Sequence, residues 1–138
     1  LDVYEKSSRD EIIEPQETVK YFNGAKINLN IHRSAQDERF AQGNARGILP
    51  VSINNRTFEI AGCGGFQIID ESRPNLSKVF EPGKEIVTFK DPDDLKTKIA
   101  YYLKHHGKRK EIGQAAQKRA ISEHTYEKRL HRILEATA

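Results

Sequence analysis

The chain has 138 residues, 36% of them hydrophobic and 31% charged, which suits one globular domain and excludes a disordered chain. A net charge of +3, from 23 basic and 20 acidic residues, is too small to argue for nucleic acid as a partner. A single cysteine, Cys63, rules out an internal disulfide, and no apolar run approaches the roughly 20 residues of a membrane span. With no signal-peptide pattern legible, a cytoplasmic location is the expectation.

Residues 1–4 and 12–13 read as two short strands around a loop at 7–10. Pro15 then suits the first turn of a helix, with Val19 and Phe22 on one face and Asn23 and Gly24 at its end. Residues 26–31 alternate, with Ile27, Leu29 and Ile31 to one side and Asn28 and Asn30 to the other, so they predict a strand. His32 and Arg33 lie at its C-terminal end. Residues 34–47 are polar, a mobile loop or a short surface helix, and Pro50 makes 48–53 ambiguous.

Asn54 and Asn55 offer caps for a helix over about 56–63, which Gly64 and Gly65 stop. Residues 66–69 read as a buried parallel strand ending at Asp70 and Glu71, and 86–89 as another. Between them, Leu76, Val79 and Phe80 suggest one or two helical turns. Asp91 caps the next helix, with Pro92 in its first turn and Asp93 and Asp94 at the positive end of the dipole. Leu95, Ile99, Tyr102 and Leu103 keep helical spacing, and Gly107 is expected to end this helix. Two helices follow, over 108–122 and 126–136, the second with Tyr126, Leu130, Ile133 and Leu134 on one face.

Strands alternating with helices predict an α/β fold: a Rossmann-like, three-layer domain over residues 1–138, its parallel sheet flanked by helices, with C-terminal helices at 108–136. Such sheets bind ligands beyond the C-terminal ends of their strands. That rule points to His32, Arg33, residues 52–59 and residues 70–75. In the second of these segments a loop feeds a helix whose first amides are unpaired and attract phosphate. Arg56 adds a fork suited to phosphate oxygens. Glu59, about one turn in, can accept hydrogen bonds from ribose hydroxyls. The same residue types also describe a capped helix with a solvent-facing arginine and glutamate.

Longer runs carry a resemblance. Residues 21–33 (YFNGAKINLNIHR), 55–65 (NRTFEIAGCGG) and 79–89 (VFEPGKEIVTF), with Asp94-Leu95, His124-Thr125-Tyr126 and Arg129, are together similar to the spore-maturation, CgeB-like branch of the group 1 glycosyltransferases. The resemblance implies the C-terminal lobe of a GT-B enzyme, in which two Rossmann-like lobes face a cleft and this one holds a nucleotide-diphosphate-sugar donor. It implies a ribose contact for Glu59 and diphosphate contacts near Asn54, Asn55 and Arg56. His32 and Arg33 would face the same cleft. No further cofactor is implied. Eight residues before Glu59, where many group 1 enzymes carry a second glutamate, this chain has Val51. The chain opens at Leu1 without methionine, so an excised piece of a longer polypeptide is expected, its partner being an N-terminal lobe. The alternative is a Rossmann-like module that binds a ligand or partner without catalysis.

Other candidates read as structural. Asp91-Pro92-Asp93 is placed for capping, not for metal. His105 and His106 lie at a helix end, where imidazole suits the dipole, without the partners a metal needs. Cys63 before two glycines reads as a small buried packing residue. The basic residues of the C-terminal region, Lys104 to Arg132, alternate with glutamates and read as a solvated surface; an anionic-polymer or membrane patch is the competing account.

Overall fold

The computed structural model describes residues 14–32 and 46–137. The strands expected at residues 1–4 and 12–13, Arg33, and most of the polar stretch at 34–47 lie outside the described residues. Chain order is α1 (Pro15–Gly24), β1 (Asn28–Asn30), α2 (Asn55–Gly62), β2 (Gln67–Asp70), α3 (Leu76–Val79), β3 (Val87–Phe89), α4 (Pro92–Lys104), α5 (His106–Glu123) and α6 (Tyr126–Thr137). The ambiguous residues 48–53 form neither helix nor strand.

The three strands form a parallel sheet in the order β1-β2-β3, with Asn30 opposite Ile69 and Ile69 opposite Thr88. Helices cover both faces, giving the Rossmann-like α/β layering that alternation predicts. Neighbouring residues of β2 feed opposite cores, as strand geometry requires. Ile69 joins Ala61, Leu76, Phe80, Ile86, Ala116 and Ala120 beneath α2, α3 and α5. Ile68 joins Phe66, Val87, Phe89 and Ile112, with Leu95, Ile99 and Tyr102 of α4 packed against them. Both isoleucines are wholly buried, each worth on the order of 2 kcal/mol of apolar burial.

Strand β1 inverts the usual sense of alternation. Its asparagines are buried, and Leu29 and Ile31 on the other side are exposed at 46% and 58%. Asn28 donates from Nδ2 to the carbonyls of Phe22 and Phe66, both at 3.1 Å, fastening the end of α1 to the start of β2. Hydrogen bonding makes the polar face the buried one.

One local expectation shifts. Gly107 does not end α4; the helix stops at His105 (φ −110°, ψ 68°), and Gly107 falls in the first turn of α5. Glycine is tolerated there because the first amides of a helix have no intrahelical partner. Arg109 is buried and spans the break, donating to the carbonyls of Tyr102 and Leu103. Val19, on one helix face with Phe22, is exposed while Phe22 is half-buried. The apolar face of α6 is also exposed, Tyr126, Leu130, Ile133 and Leu134 each by 59% or more. No described helix is long and apolar enough to cross a membrane.

Close backbone approach fixes α5. A Cβ on Gly113 would come within 2.6 Å of the Gly64 carbonyl oxygen, so only glycine lets this helix lie against the turn before β2. Gly64 itself sits at φ +75°. Gln117 adds a hydrogen bond to the Gly62 carbonyl at 3.1 Å. Across the sheet, Lys98 of α4 donates to the Thr88 carbonyl and pairs with Asp94, both at 2.7 Å.

Candidate functional site

Three parallel strands deliver their C-terminal ends to one edge, and the start of α2 comes to that edge beside them. The junction is polar and closed. Asn54 is the N-cap, its Oδ1 accepting from the Thr57 amide at 3.1 Å and the Thr57 hydroxyl at 2.9 Å. Its Nδ2 donates to Asn30 Oδ1 at 2.9 Å. Asn30 is fully buried and reaches Thr57 Oγ1 at 2.9 Å and Gln67 Oε1 at 3.3 Å. Gln67 in turn donates to the Thr57 carbonyl at 2.9 Å. One network therefore bolts the mouth of α2 to β1 and β2.

His32 completes the junction. Asp70 Oδ2 accepts from the His32 amide at 2.6 Å and lies 2.9 Å from Nδ1. The Asn54 amide reaches Nε2 at 3.4 Å. A backbone amide can only donate, so Nε2 is the acceptor and the ring proton sits on Nδ1, facing Asp70. Burial raises the Asp70 carboxyl, but hydrogen bonds from Ser72 and from the amide and ring of His32 outweigh it. The group lies below the ordinary carboxylate value. Both ring nitrogens are engaged, so His32 orients the α2 mouth.

The expected site residues divide among neighbouring concavities. His32 lines a cleft of about 600 Å³ with Asp70, Ser72, Arg73, Val51 and Phe89. Arg73 is buried and donates to the Ser52 carbonyl at 3.1 Å, holding the segment before α2 over the strand ends. Glu59 is exposed and lines a different groove, of about 230 Å³, with Asn55, Phe58, Tyr126 and Arg129. Arg56 is exposed on a third side of α2, beside Tyr21 and Leu29. Asn54 is spent on the cap. Asn55, the first residue of α2, adjoins both the cap and the Glu59 groove. Among the described residues nothing accepts from the amides of Asn55 and Arg56. The described residues hold no cluster of three or more His, Cys, Asp or Glu that could bind a metal ion. Cys63 is half-buried, and burial first, then the charge of Glu59, pushes its thiol up, which disfavours the reactive thiolate.

Sequence reasoning drew attention to residues 70–75 by strand position but named no role for Asp70 or Arg73. It missed Tyr126 and Arg129 as groove residues because α6 reaches α2 only through tertiary packing. There Arg129 lies 4.1 Å from the Phe58 ring centroid, and His124 meets Phe58 and Phe80 edge-on.

A family of glycosyl transferase-like proteins matches residues 3–135. The chain belongs to this family. It is also similar to the spore protein CgeB of Bacillus subtilis strain 168, at 33% identity over 115 residues, which are 83% of this chain and 34% of that relative. The chain thus spans about a third of the curated relative's length. No solved structure matches it at a significant level. Family membership agrees with the CgeB-like resemblance carried by the sequence blocks, and the parallel α/β layering agrees with a Rossmann-like glycosyltransferase lobe.

Proposed function

We infer that this chain is the donor-binding lobe of an enzyme that moves a sugar from a nucleotide diphosphate to an acceptor. The observation that carries the reading is family membership across nearly the whole chain. Three features support the donor assignment: a cleft at the strand ends, two unaccepted amides at the mouth of α2, and a carboxylate one turn deeper on the same helix.

In this reading the diphosphate meets the amides of Asn55 and Arg56, with the Arg56 guanidinium swinging over it. The ribose runs along α2 to Glu59, and the sugar lies toward His32 at the strand ends. Asn54 acts by holding the helix mouth in place. As the sugar–phosphate bond breaks, negative charge gathers on the diphosphate, where amides and guanidinium stabilise it without a metal. The acceptor, and a base if one is used, come from a second lobe; the greater length of CgeB is in keeping with that. The isolated chain is expected to bind nucleotide weakly and to turn over nothing.

Calorimetric or NMR titration with UDP, GDP and ADP tests this. Loss of a charge-assisted pair of hydrogen bonds predicts that Glu59→Ala weakens binding about tenfold or more. Unchanged binding removes Glu59 from the site, and no binding of any nucleotide to the unaltered chain removes the donor lobe. A second reading, a binding module without catalysis, draws on Val51, an exposed aliphatic side chain lining the strand-end cleft. Assaying the longer protein with a panel of sugar donors separates the two.

A further inference from the structure

The opposite edge of the sheet, where β1 and β2 begin, carries a concavity of about 400 Å³. Its walls are the end of α1, the Gly64–Gly65 turn and the opening turns of α5. Four lining side chains are basic, Lys26, His106, Arg109 and Lys110, and none is acidic. Lys26 and Lys110 are exposed and form no ion pair among the described residues. Lys108, in the same stretch, is already paired with Glu111 at 3.1 Å.

The start of α5 adds to this charge and does not offset it. No acidic residue occupies its first turn, and its N-cap residue supplies no side-chain cap. The His105 ring instead stacks on Tyr101, with centroids 3.9 Å apart, and its Nδ1 lies 2.6 Å from the Tyr101 carbonyl. The first α5 amide to find a carbonyl is that of Arg109, which donates to His105 at 3.1 Å. Cations at a helix N-terminus oppose its dipole and cost stability unless an anion sits among them. Exposed lysines, backbone bared by glycine and His106, the opening residue of α5, line one concave surface, the chemistry that takes phosphate oxygens.

We propose that this strand-start cleft is a second anion site, built for a phosphate or diphosphate group of a small molecule and separate from the strand-end cleft. Lys26 and Lys110 supply the charge. The amide of His106, accepted by no described residue, supplies a directed donor, and Arg109, fixed by Tyr102 and Leu103, forms part of the wall.

The test is a titration of the 15N-labelled chain with inorganic pyrophosphate, with sodium chloride at matched ionic strength as the control. Saturable shifts centred on Gly24 to Lys26, Gly64 and Gly65, and His106 to Lys110 are expected. The double variant Lys26→Glu with Lys110→Glu weakens them at least about tenfold, the loss of two charged contacts. Lys110→Ala alone gives a smaller loss and, with spectral dispersion retained, guards against misfolding. Glu59→Ala leaves these shifts in place, which keeps the result distinct from the fate of the donor assignment. Shifts confined to Asn55 to Glu59, shifts reproduced by sodium chloride, or binding undiminished in the double variant would each overturn the proposal.

Discussion

Two helices start against the same small sheet, at opposite edges, and their first turns are built in contrary ways. The mouth of α2 is closed by neutral hydrogen bonding: Asn54 caps it, and Asn30, Thr57 and Gln67 tie it to two strands. The mouth of α5 has no side-chain cap and gathers cations, with its N-cap histidine turned away to Tyr101. A satisfied buried network spends its groups on shape, so α2 is held still and keeps only two amides to offer. At α5 the first turn is uncapped, and Lys26 and Lys110 beside it leave their charge unspent. The first design holds a structure in place, and the second leaves a deficit that an anion can fill.

The largest expected effect comes from breaking the α2 network at its buried centre. Asn30→Leu leaves Asn54, Thr57 and Gln67 short of partners, and a loss on the order of 3 kcal/mol is expected by urea denaturation. A loss under about 0.5 kcal/mol would mean that the network relaxes or fills with water. Next is Gly113→Ala, whose new methyl collides with the Gly64 carbonyl oxygen; about 2 kcal/mol is expected. This substitution moves α5 as a whole, so it should also perturb the amides of the basic cleft. The cap itself is smaller. Asn54→Ala is expected to cost about 1 kcal/mol, and Asn54→Asp to recover part of it.

The smallest effect is a dependence on pH. The folded Asp70 carboxyl titrates below its unfolded value of about 3.9. Its contribution is therefore present above that value and lost as pH falls through the folded one. Asp70→Asn should flatten the acid limb of a stability profile and leave the neutral region parallel to the unaltered protein. An unchanged acid limb would show that the His32–Asp70 contact does not survive in solution.

Much of this was legible one turn at a time. Pro15, Asn54, Asp91 with Pro92, and the glycines after α2 mark helix ends through contacts made within four residues, and the structure keeps them. The apolar runs at residues 66–69 and 86–89 announced buried parallel strands because both faces of such strands are covered. Alternation placed Asn28 and Asn30 on one side of β1, but nothing local said that this side would be the buried one. That depended on Phe22, Thr57, Phe66 and Gln67 arriving as hydrogen-bond partners. Gly107 misled because glycine stops a helix at one position and is harmless at the start of the next.

The sequence by itself determined the order of the described elements, most of their helix ends and the family, since these rest on neighbouring residues and on blocks of fixed spacing. Only the tertiary structure decided which side chains share a concavity. His32 meets Asp70 across 38 positions and Gln117 meets Gly62 across 55, and no periodicity reports contacts at that range. Hence Arg56, Glu59 and His32, close in the reading of the chain, line three different walls around α2, while Lys26 and Lys110, far apart in sequence, share one cleft. Packing of α5 and α6 against α2 set that division, because a helix shows each face to whichever neighbour closes over it.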